Sequence, residues 1–242
     1  MGGDRDADDR LGARVEGWTP RSRPDWDRIE GRYVTLERLD PARHAADLHA
    51  ANRESDAIWD YMPYGPFPDE AAYHTWAEGM AGRTDPWFAA LIDRATGRAG
   101  GVASYLRIDP AAGSIEVGHI ALAPRLQRTR AATEAMYLMM AWVFDAGYRR
   151  YEWKCNALNL GSRRAAERYG FSFEGVFRQA TVVKGRNRDT AWFAAIDREW
   201  PALKVAFDTW LDPANFDAGG NQRQRLAALT RPILVTSDPA LL

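Results

Sequence analysis

Apolar and polar positions alternate along this chain in a way that lays out short strands and medium-length helices. Residues 32–39 alternate with period two, Val34 and Leu36 against Tyr33, Thr35 and Glu37, and predict a strand. Asp40-Pro41 opens a helix to about Ser55, with proline suited to the first turn, and Pro68-Asp69-Glu70 opens a second to about Gly82. Strands are expected over 86–92 and 100–108, parted by the turn signal Ala95-Thr96-Gly97-Arg98. An apolar strand over 115–122 precedes a helix beginning near Thr133. That helix puts Ala135, Met136, Met139, Met140, Val143 and Phe144 on one face and stops at Gly147. Its methionines read as core packing. Residues 150–156 form a strand, 159–169 a helix closed by Gly170-Phe171, and 178–184 and 190–196 two further strands. A last helix over 201–211 precedes a tail bearing Gly, Asn and Gln. Residues 1–28 are polar and proline-bearing, hence partly loose, with Trp18 and Trp26 as candidates to dock on the body. There is no internal repeat.

Composition narrows the class. A chain of 242 residues with 46% hydrophobic content can bury one good core and fits one domain plus extensions. A formal net charge of −1 argues against a nucleic-acid or acidic-surface partner. No apolar run approaches the roughly 20 residues that cross a bilayer, and residues 1–10 lack the apolar stretch of a signal peptide. The lone Cys155 excludes an internal disulfide and fits a reducing compartment. In a core strand it reads as a buried thiol. Four scattered histidines, without His-x-x-x-His or Cys-x-x-Cys spacing, argue against a metal centre. A cytoplasmic enzyme is the expectation.

The stretch from Ser114 to Gly147 carries the most chemistry. Its strand ends in Ala121-Leu122-Ala123-Pro124, and Arg125-Leu126-Gln127-Arg128-Thr129-Arg130-Ala131-Ala132 leads into the helix. Small residues and threonine at a helix entrance leave backbone N–H groups pointing outward, at the positive end of the helix dipole. Arg125, Arg128 and Arg130 add charges that suit a polyphosphate. A strand–helix turn with solvated arginines accounts for the same residues. A second block, Asn159-Leu160-Gly161-Ser162 through Gly170-Phe171, opens and closes the following helix, and Asn and Ser are good openers in their own right.

Together the two blocks resemble the acetyl-CoA motif and the Asn-x-x-Ser-x-x-x-x-x-x-x-Gly-Phe signature of the GNAT N-acetyltransferase superfamily. Glu174-Gly175-Val176-Phe177-Arg178-Gln179-Ala180, then Lys184-Gly185-Arg186-Asn187-Arg188-Asp189, and the loop over 58–67 are similar to the branch that acetylates ribosomal-protein N-termini. The resemblance covers about residues 31–200. It implies a single α/β (α+β) domain over 29–200, with a mixed, mainly antiparallel twisted sheet, a splayed central strand pair and helices on both faces. An N-terminal extension (1–28) precedes it and a helix and tail (201–242) follow. The family loop reads Gln/Arg-x-x-Gly-x-Gly/Ala, so Arg130 stands at the first glycine and Ala132 at the second. Arginine suits a helical rather than a left-handed backbone, and its guanidinium would add a phosphate contact.

The resemblance also implies acetyl-CoA as co-substrate, without a metal. Gln127, Arg128, Thr129, Arg130, Ala131 and Ala132 would hold its pyrophosphate and Asn159 its pantetheine arm. Backbone N–H groups near Ala121 and Leu122 would face the oxyanion. Ser162 is the candidate to protonate the leaving thiolate, because the family's tyrosine four residues on is Ala166 here. Helix opening alone also explains Ser162. The branch's hairpin glutamate falls on Thr181, which cannot take a proton at neutral pH. That leaves Glu116 and His119 as candidate bases, each equally readable as structural and expected on opposite faces of the strand. Trp59, Tyr61, Tyr64 and Phe67 read either as an acceptor-pocket wall or as a cluster sealing two helices. Acetyl transfer to an amine, on a small molecule or a peptide or protein N-terminus, by direct attack in a ternary complex is the leading reading for a monomer or homodimer. A degenerate acyl-CoA-binding module, an O-acetyltransferase and a ribosome- or RNA-binding protein are its rivals.

Overall fold

The computed structural model describes residues 12–241 of the chain; the leaderless reading of residues 1–10 lies outside them. One mixed sheet holds eight strands in the order β1-β2-β3-β4-β5-β6-β8-β7. They are β1 (Arg28–Glu30), β2 (Val34–Arg38), β3 (Trp87–Asp93), β4 (Arg98–Asp109), β5 (Ser114–Leu122), β6 (Arg150–Asn156), β7 (Ser172–Val183) and β8 (Arg186–Ile196). All neighbours pair antiparallel except β5 and β6. That parallel pair is laddered only from Ser114–Arg150 to Val117–Trp153 and then splays apart. The expected α/β architecture holds, and the split it opens at the sheet's centre positions the site.

Among the described residues six α-helices cover the sheet: α1 (Pro41–Asn52), α2 (Glu70–Ala81), α3 (Arg130–Asp145), α4 (Leu160–Arg168), α5 (Trp200–Leu211) and the short α6 (Leu226–Thr230). Side chains of Asp40, Asp69, Thr129 and Asn159 accept first-turn N–H groups of α1 to α4, the local reason these helices begin where they do. The large core joins α3 and α5 to the sheet. The apolar face expected of α3 is buried in full, Met139 and Val143 completely. A smaller core on the other face packs Leu39, Leu48, Trp59, Tyr73 and Phe88 under α1 and α2.

Several elements differ from the sequence reading. The strand β1 was missed because only three residues pair. The helix α3 starts three residues before Thr133, and β7 begins at Ser172, well before 178. The described parts of both extensions pack on the body. Trp26 stacks edge-on against Trp87, at 4.3 Å between ring centres, and the Trp18 indole N–H donates to the Ala111 carbonyl at 2.8 Å. Near the other end, fully buried Asp238 forms an ion pair with Arg163 of α4. Buried Glu134 of α3 accepts the N–H groups of Arg32, Tyr33 and Val34 at 2.9, 2.6 and 2.9 Å.

Candidate active site

The splay between β5 and β6 opens into a cavity of about 420 Å³. Its walls come from the loop after α1 (Ile58, Tyr61, Met62, Pro63), from β4 and β5 (Arg107, Glu116 and residues on to Leu122), from β6 (Trp153 to Asn156) and from α4 (Asn159, Ser162, Ala165, Tyr169). Gln127, Met136, Thr181 and Arg188 also line it.

Two bulges shape this cavity. Opposite Ala103, β5 carries both His119 and Ile120, since Val102 pairs with Ala121 and Ser104 with Gly118. His119 sits at φ +50. The extra residue reverses the pleat, so Glu116 and His119 line the same cavity instead of opposite faces. The expectation of opposite faces is corrected by this one inserted residue. A second bulge places Arg107 at φ +46. The other non-glycine positive φ values among the described residues are Arg128 at +61, Gln179 at +50 and Lys184 at +47. Such backbone costs of order 1–3 kcal/mol per residue and concentrates at functional sites. Here Arg107 and His119 line the cavity, Arg128 lies in the loop before α3, and Gln179 and Lys184 lie in the β7–β8 hairpin.

At the entrance to α3, the N–H groups of Arg130 and Ala131 have no intrahelical acceptor, while Ala132 donates to the Thr129 hydroxyl at 3.1 Å. Arg130 is helical, as expected. Its guanidinium lies over the rings of Tyr33 and Phe216, at 4.9 and 4.6 Å. Arg125 is likewise engaged, 2.5 Å from Glu54. Left-handed backbone appears at Arg128, an exposed residue with an unpaired guanidinium among the described residues. Gln127 donates its side-chain N–H to the Leu122 carbonyl at 2.9 Å. The Ala123 N–H bonds to Gly100 on β4, so by strand alternation the Leu122 N–H faces the splayed edge.

On α4, Asn159 caps the helix by accepting the Ser162 N–H at 3.0 Å, leaving its side-chain NH₂ without a partner among the described residues. Ser162 Oγ accepts the indole N–H of Trp153 at 2.9 Å and also hydrogen-bonds the Cys155 side chain. Its near neighbour is the buried Cys155 thiol, whose pKa burial pushes up. Ala166 is fully buried and faces the core, whereas Ala165 and Tyr169 face the cavity.

The aromatic loop divides. Tyr61 lines the cavity and donates its hydroxyl to the Leu158 carbonyl at 3.3 Å. Trp59 is 3% exposed and, with Phe67 and Tyr64, packs into the smaller core around Trp76. Trp59 and Phe67 are therefore floor, not wall. The Tyr64 hydroxyl reaches His119 Nδ1 at 3.2 Å, and the two rings stack. Lys184 in the hairpin donates to the carbonyls of Trp59 and Gly65, at 3.0 and 2.9 Å, strapping the loop to β7–β8.

Charge in the cavity is held by burial. Burial pushes the Glu116 carboxyl up, against the pull of Arg107 and Lys154. Burial, then Arg107 and Arg188, hold His119 down at about 4 from an ordinary 6.5, so its imidazole is neutral at physiological pH. Folded His119 therefore contributes its full stability above an ordinary histidine pKa and loses it as pH falls toward 4. A shift of this size is worth up to about 3 kcal/mol, and less at a site that solvent partly reaches. The melting temperature of His119→Gln should fall less than that of wild type between pH 6.5 and 4. Parallel curves would show that the imidazole takes up its proton as freely in the folded chain as in the unfolded one.

Arg107, Lys154, Tyr169 and Arg188 reach the cavity without having been legible as site residues. Tyr169, inside the second helix block, and Arg188, inside the hairpin motif, lay in segments the sequence singled out. Among the described residues no group of three His, Cys, Asp or Glu side chains could hold a metal, and no helix is long and apolar enough to cross a membrane.

A sheet split at its centre beside a helix start with unpaired N–H groups fits the framework of an acyl-transferring enzyme. Residues 34–172 match the model of the acetyltransferase (GNAT) domain, and the chain belongs to that family of acetyl-CoA-type acetyltransferases. It is similar to a GCN5-related N-acetyltransferase from Brucella melitensis, with 47% identity and a TM-score of 0.88 over 90% of this chain and 100% of that one. A probable GNAT acetyltransferase from Chromobacterium violaceum is 41% identical, with a TM-score of 0.74 over 78% and 96%. The Salmonella typhimurium acetyltransferase that modifies the N-terminal serine of ribosomal protein L7/L12 shares the fold, at 20% identity and a TM-score of 0.60 over 69% and 96%. No curated protein matches the chain.

Proposed function

We propose that this protein transfers an acetyl group from acetyl-CoA to an amine by direct attack in a ternary complex in the cytoplasm. The observation that carries the reading is the β5 bulge. It puts two proton-accepting side chains, Glu116 and His119, into the same cavity as the free edge at Leu122 and the hydroxyl of Ser162. The description of the 47%-identical Brucella protein as an N-acetyltransferase supports nitrogen over oxygen as the acceptor atom.

The donors fit the co-substrate. N–H groups of Arg130 and Ala131, with the guanidinium of Arg128, suit a pyrophosphate. The free NH₂ of Asn159 and the Leu122 edge suit an amide-bearing arm. Bound acetyl-CoA supplies the activated acyl group. Neutral His119 or the carboxylate of Glu116 receives the one proton the attacking amine loses, the Leu122 N–H stabilises the developing oxyanion, and Ser162 Oγ–H donates to the departing sulfur. His119 is held by Tyr64 and Glu116 by Arg107, so both acceptors are oriented beforehand.

Arg128→Glu should weaken coenzyme A binding by roughly ten- to a hundred-fold, the worth of one charge-assisted hydrogen bond. Arg125→Ala, whose arginine is tied to Glu54, should leave it nearly unchanged. Calorimetry reads both, and unchanged affinity in Arg128→Glu would remove the loop from the site.

A further inference from the structure

Charged side chains run in alternation from the cavity across the sheet. Arg107 Nη1 lies 2.9 Å from Glu116 Oε1, Glu116 Oε2 lies 2.9 Å from Lys154 Nζ, and Lys154 lies 2.7 Å from Glu152. Arg150 continues the chain, 2.7 Å from Glu152 and 2.5 Å from Glu174. Three cations and three anions compensate one another. Arg188 stands outside this chain. Its side chain lines the cavity from β8, across from Thr181. Its Nε is buried with no hydrogen-bond partner, and no carboxylate among the described residues lies within ion-pair distance. His119 beside it is neutral, and Glu116 is already held by two cations.

A half-buried guanidinium stays charged at neutral pH, and leaving its buried Nε without an acceptor costs free energy that an anion would recover. The occupant is small. The cavity of about 420 Å³ must also admit the thioester end of the co-substrate, and its rim is drawn in by the Lys184 strap and by the bond from Tyr61 to Leu158. We propose that Arg188 recognises the acceptor, and that the acceptor is a small amine bearing its own carboxylate or phosphate. The acidic group pairs with the Arg188 fork while the nitrogen faces Glu116 and His119. This rests on the amine-acceptor reading above.

The test is calorimetry on the intact protein saturated with coenzyme A, using matched pairs: alanine against alaninamide for a carboxylate, and O-phosphoethanolamine against ethanolamine for a phosphate. In one pair the acidic member should bind at least roughly tenfold tighter, the scale of one charge-assisted contact, and the pair that shows it names the anion. Arg188→Gln should erase that preference and Arg188→Lys restore part of it, with melting temperature and coenzyme A affinity held. Equal binding within both pairs, no binding by any of the four, or a preference that survives Arg188→Gln would overturn the proposal. So would loss of coenzyme A affinity in Arg188→Gln, which would assign the arginine to the co-substrate. Mass spectrometry of the same amines with acetyl-CoA reads transfer separately. An acidic amine that binds through Arg188 but is never acetylated would sink the transferase reading while leaving the anion site in place.

Discussion

Trp59→Ala should destabilise the protein by about 3–5 kcal/mol, the usual cost of truncating a buried tryptophan, and lower its melting temperature by roughly 6–20 °C for a domain of this size. The indole is 3% exposed and meets the Phe67 ring edge-on at 5.3 Å and the Tyr64 ring at 6.0 Å. A side chain at Gly65 would lie 2.6 Å from the indole, so the loop is folded against that ring with no room to spare. Removing the ring also loosens the carbonyl that accepts Lys184. Tyr61→Ala is the contrasting variant, because Tyr61 is 38% exposed at the cavity mouth. It should change the acceptor's Michaelis constant with little effect on melting. A Trp59→Ala protein that melts within about 2 °C of wild type, under 1 kcal/mol at this size, and loses only acceptor affinity would return Trp59 to the wall.

Ser162→Ala should lower the turnover number roughly ten- to a thousand-fold, the usual range of general acid catalysis. Coenzyme A affinity and folding should persist. The Trp153 indole N–H occupies one lone pair of the hydroxyl at 2.9 Å, so its proton is free to turn from Cys155 to the departing sulfur. No side chain at 166 can replace it, since Ala166 is fully buried away from the cavity. Helix capping does not depend on Ser162 either, for Asn159 caps α4. Turnover within about twofold of wild type, under 0.5 kcal/mol of barrier, would mean that Ser162 only holds the Trp153 indole and that another group or water protonates the sulfur. Tyr169, whose ring also lines the cavity, would then be the next group to replace.

Much of the fold was written in hydrophobic periodicity and in helix-opening residues. The face of α3 from Ala135 to Phe144, the strand β6 and the helix from Asn159 all stand where the pattern put them. The site was legible only where local chemistry decides it. Thr129, Asn159 and Ser162 sit at helix starts, and a helix start is a short-range event. Side-chain direction in the strands was not legible, because a bulge depends on how two strands share their hydrogen bonds. Nothing in Gly118-His119-Ile120 marks the inserted residue. Trp59 and Tyr61 illustrate a second limit. Two aromatics one residue apart read alike, and only the packing of α1 and α2 beneath the loop buries one and leaves the other at the mouth. Arg188 needed the long-range pairing of β6 with β8 before it could be placed beside Glu116 and His119.

The single inserted residue in β5 makes the strand's meaning a matter of counting. Before it, the pleat turns Glu116 into the cavity, and after it, the reversed pleat brings His119 into the same cavity. Deleting one residue from 118–120 should keep nearly every side chain in the strand and still turn one half away from the other, separating Glu116 from the Leu122 edge. A substitution that keeps the length, such as Ile120→Val, should disturb this arrangement less than a one-residue deletion.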